Sequence, residues 1–110
     1  MMTVQTLIDA KLFTLHASAD TERTISKVFC CDLLSIAMSR APRDGAWVTV
    51  MGNKNTLAVA SLADISCIIL AEGITFSEED LSCAGQEGIT VFSTDLPIFD
   101  AGLKIQELLP

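Results

Sequence analysis

The chain has 110 residues, half of them hydrophobic, and seven Lys and Arg against 14 Asp and Glu give it a net charge of −7. That length makes one domain, residues 1–110, with a core of its own. The charge leaves no basic stripe to neutralise phosphates, so no nucleic-acid partner is expected.

No apolar run nears the roughly 20 residues that span a bilayer, and the negative charge repels anionic membrane surfaces. Met1–Lys11 has no basic start followed by an apolar run, and Asp9 interrupts it, so it does not read as a secretion signal. The expected location is the cytoplasm. A mean hydropathy of +0.47 is high for a small chain; the excess is expected in a dense core or on a partner surface.

In chain order, Thr3 can cap a first helix whose Val4, Leu7 and Ile8 share a face. Leu12–Ala17 alternates loosely as a strand, and Ser18–Thr24 is a polar connector. Ile25–Cys31 reads as a second strand, followed by Asp32 as the cap of a helix to about Ala41. That helix has Leu33, Leu34, Ala37 and Met38 along one side, and Pro42-Arg43-Asp44-Gly45 supplies its stop. Ala46–Met51 is the third strand. Asn55 is the expected cap of a helix apolar nearly all round from Leu57 to Ile65, which predicts burial on more than one side.

Cys67–Gly73 is a short β-branched run without polar alternation, the pattern of a strand covered by helices on both faces. Ser77 opens the next helix, with Asp80 at the reciprocal capping position and Phe76 and Leu81 spaced as a hydrophobic staple. Glu78, Glu79 and Asp80 suit its first turn, and Gly88 its left-handed end. Ile89–Ser93 is the last strand. Pro97 suits the first turn of a final helix with Ile98, Ala101, Gly102, Ile105 and Leu108 or Leu109 facing inward.

Five strands alternating with helices predict an α/β fold, a three-layer α/β/α sandwich with a mostly parallel sheet of about five strands. The link between the first two strands is too short for a helical crossover, so one antiparallel or displaced edge strand is expected.

In such a sheet, ligands sit beyond the carboxyl ends of the strands. Those ends carry Asp32, then Gly52, Asn53, Lys54 and Asn55, then Glu72 and Gly73, then Ser93, Thr94 and Asp95. Gly52–Asn55 offers backbone amides, a helix start and one lysine, the parts of an anion cradle. It lacks the glycine spacing of a P-loop or a dinucleotide turn and reads first as an ordinary strand-to-helix turn. A small ligand, if bound, is expected at Gly52–Asn55 and Ser93-Thr94.

His16 is the only histidine and reads as a half-buried structural residue. Cys30, Cys31, Cys67 and Cys83 form no C-x-x-C pair and sit among apolar neighbours. They are expected to be reduced core thiols, with no metal or other cofactor.

The order of these segments resembles the DRTGG domain family over nearly the whole chain. The resemblance is carried by Glu22-Arg23-Thr24, Phe29–Ser35, Ala46–Val50, Asn55–Leu62, Ile68–Gly73 and Gly88–Thr94. The chain departs from the family at Ser26-Lys27-Val28, where members have Thr-Gly-Gly, and at Asn53, where many carry His. Members occur in phosphotransacetylases, in CBS-domain pyrophosphatases and as stand-alone proteins, and the family fold is similar to the N-terminal domain of HPr kinase/phosphorylase. The resemblance implies a non-catalytic regulatory or assembly module.

The apolar excess adds the expectation of a homodimer, through the 33–41 and 55–65 helices; a small ligand, of nucleotide or phosphate-bearing kind, is expected only at the strand ends named above. Two other readings compete: an accessory protein of an iron-only hydrogenase or other redox system, and a fragment related to a serine kinase without its active site.

Overall fold

A computed structural model describes residues 1–110. The elements run α1 (Val4–Ala10), β1 (Thr14–Ala17), β2 (Lys27–Cys30), α2 (Leu34–Arg40), β3 (Gly45–Thr49), α3 (Lys54–Leu62), β4 (Cys67–Leu70), α4 (Glu78–Gln86), β5 (Thr90–Ser93) and α5 (Ile98–Leu108). The five strands form one sheet in the order β1-β5-β4-β3-β2. β2 to β5 are parallel, and β1 lies antiparallel to β5 at the far edge. This is the expected α/β/α sandwich, with the short first link placing β1 and β2 at opposite edges.

The three inner strands are buried along their whole length, as the unalternating sequence of Cys67–Leu70 requires. On one face Ala46, Val48, Ile69 and Phe92 pack with Val4 and Leu7 of α1 and Ala101 and Ile105 of α5. On the other, Trp47, Ile68, Leu70 and Val91 pack with Ala37 of α2, Leu57, Val59 and Ala60 of α3, and Ala84 of α4. Each fully buried Ile or Leu contributes about 1.5–3 kcal/mol, so the middle of the sheet is where the fold gains most.

Residues 18–26 carry the chain past the amino ends of the other strands. Backbone bonds tie this connector to α1 and the residues before it: Val4 N to Arg23 O, Gln5 N to Thr21 O and Ile25 N to Met2 O. Arg23 then braces the sheet's amino end. Its Nε reaches Asp44 at 3.3 Å and its Nη2 reaches Asp64 at 2.6 Å. Both aspartates stand at φ 60°, a left-handed conformation that Asp tolerates better than most residues. The turns before β3 and β4 are thus held by one side chain, with Ser66 Oγ donating to the Thr24 carbonyl beneath.

The helix ends correct several expectations. Thr3 caps α1 as read, with a reciprocal bond to Thr6. Asp32 does not cap α2: Leu33 holds that position without a side-chain bond, while the Asp32 carboxylate accepts from Thr49 Oγ1 and the Val50 amide, both at 2.8 Å. Thr49 is fully buried, and its hydroxyl needs that acceptor more than α2 needs a cap. Asn53, not Asn55, caps α3, accepting from the Asn55 amide at 2.9 Å. Ser77 caps α4, and Gly88 ends it at φ 77°. Pro97 is the cap of α5 rather than its first helical residue.

Two helices are less buried than their composition suggests. α3 stops at Leu62 and buries one side only, leaving Ala58, Ser61 and Leu62 in solvent. Ile65 is buried from the turn that follows. Of the stripe expected on α2, only Ala37 is buried, while Leu33 and Met38 face outward. No helix is long and apolar enough to cross a membrane.

Candidate functional site

The carboxyl ends of β4 and β5 are where the chain leaves the sheet in opposite directions, to α4 on one face and α5 on the other. Such a divergence opens a crevice in many α/β sheets. Here backbone bonds close it. Thr94 N donates to Leu70 O at 2.9 Å, Gly73 N to Thr94 O at 2.9 Å and Glu72 N to Leu96 O at 3.0 Å. Glu72 and Gly73 both turn at positive φ to make these bonds.

The open space lies to one side, at the start of α5. A cleft of about 450 Å³ is bounded by Lys11–Thr14 and by Ser93–Pro97. Its size falls within the range of small-molecule sites. Local structure explains its polar lining. Lys11 ends α1 in the left-handed conformation, φ 55°, which turns the chain into β1. Thr94 Oγ1 accepts from the Leu96 amide at 3.2 Å and shapes the turn after β5. Pro97 has no side chain to cap α5, and the amides of Ile98, Phe99 and Asp100 meet no protein acceptor. One cation and three hydroxyl residues therefore line the cleft, with Asp95 as the opposing charge, and α5 starts at its margin just past Pro97.

Ser93 also meets His16, whose Nε2 lies 2.6 Å from its hydroxyl. His16 was expected half-buried and is exposed. The pair has the spacing of a nucleophile and its base, yet no carboxylate is bonded to the ring to orient it. Its evident role is to join the edge strand β1 to β5 beside the irregular register between Leu15 and Ala17.

Gly52, Asn53, Lys54 and Asn55 lie elsewhere. They follow β3, and β4 separates that strand from β5. Two strand spacings set the rows roughly 10 Å apart. Lys54 opens onto a second cleft, of about 240 Å³, with Leu57, Ala58 and Ser61 of α3, Cys83 of α4 and Glu87 just past its end. The structure therefore brings Ser93 and Thr94 together with Lys11 and Thr14, and does not bring Gly52–Asn55 to them.

Gly52 is committed to packing: a Cβ there would stand 2.7 Å from Ile74 Cγ2 and 3.0 Å from the Thr75 carbonyl oxygen. Gly52→Ala is expected to cost about 1–3 kcal/mol, as overpacking does. Gly85→Ala, which meets nothing within 4 Å, is expected to stabilise α4 by about 0.5–1 kcal/mol. Urea midpoints of the two variants check this. Equal shifts would mean the 74–75 segment yields freely.

The cysteines are less uniform than expected. Only Cys67 is buried; Cys31 is half-buried, and Cys30 and Cys83 are exposed. Desolvation, and then the charge of Asp32, push the Cys30 thiol up from its ordinary range, which makes it a weaker nucleophile at neutral pH. No three Cys, His, Asp or Glu side chains converge as metal ligands do.

Lys11 and Thr14 were not singled out in sequence, since nothing marks them until the antiparallel register sets Thr14 opposite Ser93. Compared with known proteins, the chain matches no family model and no curated sequence.

Proposed function

We propose that the chain is a non-catalytic regulatory or assembly module of the DRTGG type, which pairs with a copy of itself and holds a small anionic ligand beside the carboxyl end of β5. The observation that carries this reading is the cleft between Lys11–Thr14 and Ser93–Pro97. Lys11 supplies a charge, Thr14 and Thr94 supply hydroxyls, and the uncapped start of α5 favours an anionic group. Asp95 opposes a densely charged polyphosphate and favours a ligand with one or two phosphates, or one that presents a hydroxyl or amine as well. The fit is to recognition: positioning groups line the cleft, with no arranged set of carboxylates and lysine such as phosphoryl transfer uses.

The test is a thermal-shift and calorimetric titration with AMP, ATP, acetyl phosphate and inorganic phosphate. At least one is expected to raise the midpoint, and Lys11→Ala to weaken that ligand about tenfold or more, the loss of one charge-assisted bond. Binding that survives Lys11→Ala and disappears with Lys54→Ala would move the site to the α3/α4 cleft. No response to any of the four would remove the ligand from the proposal.

A further inference from the structure

We propose that the free edge of β2, flanked by α2 on one face of the sheet and α5 on the other, docks a second copy of this chain. The partner's β2 runs antiparallel, so that the two sheets continue as one. This rests on the reading of a self-pairing module and adds where the pairing occurs.

Four observations support it. First, β2 is the last strand of the sheet, and no hydrogen bond from outside the sheet reaches the backbone of Lys27–Cys30. A strand edge is self-complementary about a two-fold axis, which needs no other kind of chain. Second, the two edges differ. β1 is blunted by its irregular register at Leu15 and Ala17, whereas β2 keeps unbroken register with β3, and irregular edges resist such pairing.

Third, exposed large hydrophobic side chains sit on the two helices that flank this edge: Ile36 and Met38 of α2, with Leu33 at its cap, and Phe99 and Leu103 of α5. Phe99 is 71% exposed, and it borders a shallow groove with Val28, Cys30 and Leu103. Leu15, Leu62 and Ile74 lie elsewhere in the chain, as single exposed apolar side chains commonly do.

Fourth, the charge is distributed to allow it. Residues 26–41 and α5 hold Lys27, Arg40 and Lys104 against Asp32, Asp100 and Glu107, an even balance. The net charge of −7 therefore lies wholly on the rest of the chain, where two copies would repel. β2, α2, their connecting turn and the outward row of α5 make up close to the 20–30 residues a side of a standard interface.

Light scattering after size exclusion at micromolar concentration should give twice 11.8 kDa for the intact chain. Phe99→Glu and Leu103→Glu change exposed positions, so circular dichroism should be unaltered, while the dimer weakens at least a hundredfold. Leu62→Glu on α3 should leave the dimer intact. A short bifunctional maleimide should join two copies through Cys30, and Cys30→Ser should abolish the product. A dimer broken by Leu62→Glu and indifferent to Phe99→Glu and Leu103→Glu would overturn the β2 edge while leaving the self-pairing module standing. A mass of 11.8 kDa at every concentration would overturn both.

Discussion

Trp47→Ala is expected to lower the unfolding free energy by about 3–5 kcal/mol, the cost of removing a large aromatic from a packed core. Trp47 is fully buried at the centre of β3. It tilts against Phe29 at a ring-centroid distance of 6.4 Å and donates its indole N–H to the Cys31 carbonyl at 2.9 Å. One residue therefore joins the α2-side core to the turn that leaves β2. A domain of this size commonly has only about 5–15 kcal/mol in total, so the variant should be partly unfolded at 37 °C.

Trp47→Phe separates the two contributions. It keeps most of the apolar volume but leaves the Cys31 carbonyl without its donor, at about 1–3 kcal/mol. Urea unfolding followed by circular dichroism reads both variants, since the fluorescence of the only tryptophan is lost with it. A loss below about 1 kcal/mol for the alanine variant would mean that the site collapses around the hole.

Stability is also expected to fall steeply in alkali, because of Cys67. Burial pushes this thiol from an ordinary 9.0 up to about 12, with the Arg23 charge acting weakly the other way. The ionised form is the one that burial disfavours. Below pH 9 the folded and unfolded chains both keep the proton, and the contribution of Cys67 is fully present. Between pH 9 and about 12 the unfolded chain releases it first, and stability drops by about 1.4 kcal/mol per pH unit. The total approaches roughly 4 kcal/mol once pH passes the folded value.

Cys67→Val, similar in size and without a proton to lose, should flatten this part of the profile while changing neutral stability little. Parallel profiles for the two proteins between pH 9 and 11 would show that other groups govern the alkaline limit. In the native state Cys67 should also be inert to thiol reagents, whereas Cys30 and Cys83 react.

Much of the architecture was legible because local pattern and burial agree. Ile68, Ile69 and Leu70 are apolar without alternation, and a strand covered on both faces is the only short element that uses such a run well. Thr3, Ser77 and Gly88 stand where backbone rules place them, since a cap depends on residues three or four positions away. The misreadings share a cause as well. Asp32 looked like a cap because it precedes a helix, yet the deciding partner was the Thr49 hydroxyl on a neighbouring strand. The apolar rows of α2 and α3 looked buried because composition does not distinguish a core from an uncovered face.

The candidate site divides along the same line. That the strand-to-helix turns gather at the carboxyl ends of the strands follows from sequence, because strands alternating with helices oblige them to cluster there. Which of those turns share a space does not follow, since strand order sets it: β4 lies between Gly52–Asn55 and Ser93-Thr94. Short-range periodicity and composition carried the layers, the buried strands, the caps at Thr3 and Ser77 and the negative charge. The folded arrangement alone sets Lys11 and Thr14 beside Ser93 and Thr94, brings His16 to Ser93 across 77 residues, and leaves β2 at the end of the sheet with an open edge. The reason is physical: those contacts depend on pairing between segments far apart in the chain, and a strand's own residues specify which way it faces but not which neighbour it meets.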